Sequence, residues 1–117
     1  MVAQENGRVL LFRKAPHTAH AGKWEFPGGK VQGEETPQEA LVREIREELS
    51  ADVEIDSKSP TLQSTSNQKI ELIPFRVRLP KEYYLSDHDR VAWVGLEEQS
   101  QYDILPLDVP IFLEALS

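Results

Sequence analysis

The chain has 117 residues, a formal net charge of −7 and no cysteine. That length gives room for one hydrophobic core, the charge speaks against a DNA- or RNA-binding surface, and the absent cysteines exclude disulfides and zinc–thiolate centres. No run is long and apolar enough to span a membrane and no signal peptide is visible; a cytoplasmic protein with no membrane partner is the expectation.

In chain order, Asn6-Gly7 is a hairpin signal, and Arg8 to Arg13 after it reads as a buried strand. Lys14 to Lys23 is a polar loop. Trp24 to Phe26 is a short strand leading into Pro27-Gly28-Gly29-Lys30. Two glycines there let backbone approach a ligand closely, and Lys30 supplies a point charge suited to phosphate. Phe26 has two readings, a ring that stacks on a base and a core side chain.

Thr36-Pro37-Gln38-Glu39 predicts a helix start, with Thr36 as N-cap, Pro37 at the first helical position and Glu39 reaching back. Leu41, Val42, Ile45 and Leu49 form its apolar stripe. Glu44, Glu47 and Glu48 fall at i, i+3 and i+4, so their carboxylates share one face. Charges that close repel by up to roughly 4 kcal/mol per pair at an effective dielectric of 20. The face is either a solvated, charge-laced surface or a cation site. The glycine–lysine turn before it favours the second, and oxygen-only ligands suit Mg²⁺ or Mn²⁺. Glu44 and Glu48 flank the stripe and are expected to be partly buried, with Arg46 outward. Arg43 lies at i, i+4 from both Glu39 and Glu47 and can orient Glu47.

Beyond the helix, Asp52 to Ile55 and Thr61 to Thr65 read as strands, Ser66-Asn67-Gln68 as a hairpin turn, and Ile70 to Leu79 as a long strand. Pro74 marks the last as an edge or a bulge. Asp87-His88-Asp89 reads as a polar turn and Val91 to Val94 as a strand. Leu107 to Leu116 is a closing helix with Pro110 in its first turn and Ile111, Leu113 and Leu116 available for the core. Strands flanked by helices make the class α/β (α+β) by pattern, with one domain over residues 1–117.

Gly29, Glu35, Arg43, Glu44, Ile45, Glu47 and Glu48 fall on the pattern G-x5-E-x7-R-E-U-x-E-E-x-G-U, with U aliphatic. The chain thereby resembles the Nudix hydrolases. With Trp24-Glu25-Phe26-Pro27-Gly28-Gly29 before the box and Trp93-Val94 after it, it is similar over nearly its whole length to the MutT-like nucleoside triphosphate pyrophosphohydrolases. It departs from the pattern at Ser50, where the family has glycine, and weakly at Ala51. It also has only Met1 to Glu5 where relatives carry a full strand.

The resemblance implies an α/β/α sandwich with a mixed central sheet. It implies Mg²⁺ (or Mn²⁺) held by Glu44, Glu47 and Glu48 with the Gly28 carbonyl. Glu35 would assist the metal site, Arg43 would position Glu47, and Lys30 would stabilise the leaving phosphate. Asp87 matches the place of an additional carboxylate, as base or as ligand. Lys14, Phe26, Gly29, Lys30 and Asp108 would contact substrate; Asp108 either reads the base edge or favours the helix dipole. The implied reaction converts a modified or oxidised nucleoside triphosphate, such as 8-oxo-dGTP or a modified CTP, to monophosphate and pyrophosphate. Hydrolysis of another nucleoside diphosphate derivative (an NDP-sugar or ADP-ribose) and a non-catalytic nucleotide recognition module are the alternatives. The expected partner is a small nucleotide rather than a nucleic acid polymer, and the expected state is monomer or homodimer.

Overall fold

The computed structural model describes residues 1–117. Strand β1 (Gln4–Glu5) turns into β2 (Arg8–Lys14) through Asn6 and Gly7. Both turn residues have positive φ, 53° and 74°, as a two-residue type I′ hairpin requires. β2 is the seam of the central sheet. It pairs antiparallel with β1, with β3 (Trp24–Glu25), and from Val9 to Lys14 with β8 (His88–Val94).

The apolar run of β2 is explained by burial on both faces. Leu10 and Phe12 pack against Leu41, Ile45 and Leu49 of helix α1 (Pro37–Leu49). Val9 and Leu11 pack against Ile111, Phe112 and Ala115 of helix α2 (Val109–Leu116). The sheet therefore lies between two helices, the expected α/β/α sandwich. Every ladder is antiparallel; parallel pairing is confined to the single bridges Val2–Arg76 and Trp24–Ile104. The remaining pairs are β4 (Glu54–Ile55) with β7 (Val77–Arg78), and β5 (Thr65–Ser66) with β6 (Glu71–Leu72). A 3₁₀ turn covers Leu96–Gln101.

Helix α1 begins as the sequence dictates. The Glu39 amide donates to Thr36 Oγ1 (3.1 Å) and the Thr36 amide to Glu39 Oε1 (2.9 Å). It ends on Ser50, whose φ of 52° and ψ of 38° are left-handed. A serine there costs about 1–2 kcal/mol relative to glycine.

Several expectations are corrected. The stretch Ile70 to Leu79 is not one strand: β6 turns back onto β5, while β7 joins β4. Pro74 stands in the gap between them, where a missing N–H breaks any continuous ladder. Of Thr61 to Thr65 only Thr65 is in a strand, and Ser66 continues it; the turn is shifted to Asn67, whose Oδ1 accepts from the amides of Lys69 (2.8 Å) and Ile70 (2.9 Å). His88 and Asp89 belong to β8 rather than to a turn. Leu113 is 40% exposed, and Phe112 and Ala115 fill the core instead. Met1 to Glu5 does not leave a raw edge: the Val2 amide donates to the Phe75 carbonyl, and the Val77 amide to the Val2 carbonyl, each at 2.9 Å.

Candidate active site

The first half of α1 runs beneath the loop of residues 26–31, and Arg43 ties the two together. Its Nε and Nη2 grip both oxygens of Glu35 at 2.6 and 3.0 Å, in the fork geometry that suits guanidinium and carboxylate. Nη1 donates to Glu44 Oε1 (2.7 Å) and Glu47 Oε2 (3.3 Å), and Nη2 to the Lys30 carbonyl (2.9 Å). Arg43 thus reaches Glu47 as expected, but not Glu39, whose carboxylate is committed to the helix cap. The grip of Arg43 also holds the Glu35 carboxyl below the usual glutamate range.

Glu44 turns toward Gly29 as well as Arg43. A Cβ at Gly29 would overlap the Glu44 carboxyl group, so any larger residue there displaces that side chain. The side chain of Glu47 is 60% exposed. Glu48 turns inward, and its Oε2 is buried without a hydrogen-bond partner. Burial first, then the charges of Glu25, Glu44 and Asp87, push the Glu48 carboxyl up to about 8. Glu44 and Glu47 thus share Arg43 Nη1 while Glu48 turns inward, and no three His, Cys, Asp or Glu side chains converge as a cage. The chemistry still fits a divalent ion. An orphaned, buried carboxylate oxygen amid surplus negative charge is the donor that a hard cation takes. Gly28, whose carbonyl was expected to join the set, borders a cavity that Glu44, Glu47 and Glu48 themselves do not line.

That cavity has a volume of ≈ 580 Å³, within the range of small-molecule sites. Lys14, Phe26, Gly29, Lys30 and Asp108 all line it, so the five residues expected to face substrate are brought together. Phe26 is half-buried and packs partly against the α2-side core, which serves both of its readings. Asp108, 3% exposed, does not cap α2. Its Oδ2 accepts instead from the Phe26 amide at 2.9 Å, across 82 residues of chain. Burial raises its pKa to about 6, against the opposing Phe26 hydrogen bond. Asp87 stands outside the cavity lining, with His17 Nε2 at 3.6 Å from its Oδ1.

Sequence reading did not single out Glu25 or His88. Glu25 lines the cavity, and its Oε2 lies 2.8 Å from Nε2 of the buried His88 and 3.8 Å from Lys14 Nζ. Alternation along Trp24-Glu25-Phe26 was the available signal: a buried Trp24 puts Glu25 on the opposite face of the sheet.

A family model described as NUDIX domain matches residues 1–110. A CTP pyrophosphohydrolase of Escherichia coli K12 is 34% identical over 116 residues, which cover 97% of this chain and 85% of that protein. An 8-oxo-dGTP diphosphatase of the same organism is 43% identical over 49 residues, 42% of this chain and 38% of that protein. The solution structure of the E. coli ORF135 protein matches with a TM-score of 0.78 and 30% identity, covering 98% of this chain and 85% of that one.

Proposed function

This chain belongs to the NUDIX family and is a nucleotide pyrophosphohydrolase, and from that premise we propose that it uses Mg²⁺ to cut a nucleoside triphosphate into monophosphate and pyrophosphate, with Mn²⁺ able to substitute. The observation that carries the reading is the inward Glu48, whose Oε2 is orphaned and whose carboxyl is raised by burial and by the charges of Glu25, Glu44 and Asp87, with Glu25 lining the cavity that also holds the buried Asp108. A modified or oxidised base is the preferred class. Cytosine and 8-oxoguanine nucleotides are both candidates, because the CTP relative is alike over 97% of the chain and the Putative 8-oxo-dGTP diphosphatase 2 of Mycobacterium tuberculosis over 86%.

In this reading Glu44, Glu47 and Glu48, with the Gly28 carbonyl, would hold the divalent ion. A bound ion would supply charge neutralisation on the phosphates and a water of lowered pKa. The chain's own groups do the rest. Arg43 holds Glu44 and Glu47 and is itself braced by Glu35. Lys30, on the loop above, opposes the charge of the departing pyrophosphate, and Asp87 is the additional carboxylate. Phe26 flanks the base, and Asp108 accepts from its exocyclic amine. A nucleotide pool in the cytoplasm is the fitting setting.

The test is product release in millimolar Mg²⁺ from CTP, dCTP, 5-methyl-dCTP, 8-oxo-dGTP, ADP-ribose and a dinucleoside polyphosphate. Pyrophosphate released from a triphosphate supports the reading and names the base. Cleavage of ADP-ribose alone replaces it with a nucleoside diphosphate derivative as substrate. Nucleotide bound with no turnover identifies a recognition module.

A further inference from the structure

Lys14, Glu25 and His88 share the face of the sheet that carries Phe12. Glu25 is the cross-strand partner of Phe12, and His88 that of Lys14. Strict alternation along β8 would put His88 with Ala92 and Val94, which pack on the other face. A register shift after Arg13, which leaves Asp89 without a cross-strand partner, flips it inward; re-aiming one side chain is what a β-bulge does. The His88 ring then packs edge-on to Phe12, with centroids 5.3 Å apart. Asp89 turns out and grips Arg13 at 2.8 and 3.0 Å.

His88 is 4% exposed, and Glu25 Oε2, at 2.8 Å, is the one polar partner of its ring; Nδ1 is buried with none. A carboxylate oxygen accepts, so Nε2 carries the proton and donates. Glu25 and Lys14 line the cavity, whereas His88 does not. The charge of Glu25 is felt both at Glu48 and at Asp108, and Lys14 opposes it at both. An imidazole with a buried, unpaired nitrogen costs stability that an apolar side chain would not. The fold nevertheless bends a strand to bring it here.

We propose that His88 is a positioning residue: by donating to Glu25 it fixes that carboxylate beside Lys14, and so holds the Lys14 ammonium in the cavity as a set countercharge for the triphosphate. The inference rests on the hydrolase reading for its substrate, but the His88–Glu25 bond can be observed without turnover.

The experiment compares His88→Leu, His88→Gln, Lys14→Met and the His88→Leu/Lys14→Met double variant. His88→Leu should raise KM about 10-fold with kcat within about 3-fold, since a misplaced countercharge weakens binding more than chemistry. His88→Gln, which keeps a donor, should recover most of the loss. The double variant should bind no worse than Lys14→Met alone, because both changes act through one group. In ¹⁵N-histidine NMR of the wild-type protein, the His88 Nε2–H should be protected from exchange and lose that protection in Glu25→Ala. A wild-type KM in His88→Leu, KM losses that multiply in the double variant, or an Nδ1–H tautomer would each overturn the proposal. Should His88→Leu not fold, the tautomer and His88→Gln decide. If the wild-type chain turns over no triphosphate, the hydrolase reading fails by itself, and the same comparisons are read from Kd for CTP.

Discussion

Gly29 and Glu44 are in direct apposition: the carboxyl group of Glu44 occupies the space that a Cβ on residue 29 would need. The loop glycine and the helix acid are therefore one device. Gly29 keeps the loop close enough to cover the carboxylate, and Arg43 holds that carboxylate at 2.7 Å from the other side.

Gly29→Ala should push Glu44 off its place while leaving both cores untouched. A displacement of about 1 Å near reacting groups costs on the order of 100-fold in rate. We expect kcat/KM to fall by about that factor with Tm lowered by only a few degrees. Steady-state kinetics and a melting curve on the same preparation check it; wild-type activity would disprove the coupling.

Glu48→Gln keeps the size of the side chain and removes its charge. Turnover should fall at least about 100-fold, as expected when a ligand charge is removed from a metal-assisted reaction. Without added metal the variant should melt no lower than wild type at neutral pH, because burial raises the Glu48 carboxyl to about 8 and folding must protonate it, a cost the amide does not carry. Millimolar Mg²⁺ should raise the wild-type Tm and leave that of the variant unmoved. A variant that still hydrolyses nucleotide at the wild-type rate would remove Glu48 from the metal set.

Asp108 makes a pH-dependent contribution to stability. Its folded pKa is raised from 3.8 to about 6, mainly by burial. The contribution is thus fully present below about pH 4 and is lost as pH rises through about 6. Asp108→Asn retains an acceptor for the Phe26 amide and abolishes the titration. The variant should match wild type near pH 4 and exceed it by on the order of 2 kcal/mol at pH 7. Urea unfolding at the two pH values measures this; a difference that does not change with pH would contradict the assignment.

Ser50 holds a left-handed conformation that glycine adopts freely. Ser50→Gly should stabilise the protein by about 1 kcal/mol, which raises Tm by about 4–6 °C in a chain of this size. Activity should not change, since Ser50 serves the helix end through its backbone and is none of the proposed ligands or substrate contacts. Calorimetry and kinetics on the variant test both halves.

What was legible in the sequence was what local chemistry decides. The cap at Thr36 and Glu39, the Asn6-Gly7 turn and the two-sided burial of Val9 to Phe12 each follow from neighbours in the chain, and each is present. The spacing of Glu44, Glu47 and Glu48 was legible too, but not that Glu44 and Glu47 share Arg43 while Glu48 turns inward. That depends on Arg43 reaching eight residues back to Glu35 and on Gly29 pressing from the loop.

The misreadings are non-local. His88 looked like part of a turn because nothing in Asp87-His88-Asp89 announces a bulge, which exists only against Arg13 and Lys14. The stretch from Ile70 to Leu79 has strand composition throughout, yet its two ends choose different partners on either side of Pro74. Asp108 stands where a helix cap belongs, and the Phe26 amide outcompetes the helix for it.

The hydrogen bond from Phe26 to Asp108 and the bridge from Trp24 to Ile104 join the loop before the carboxylate helix to the last stretch of the chain. The carboxylate helix carries its own start signal and can begin to form from nearby residues, whereas the cavity floor waits for segments about eighty positions apart to meet. Closing so long a loop is entropically slow. The cavity floor at residues 104–108 is thus separable from the carboxylate helix, so a change there can alter which base is held without touching the acids.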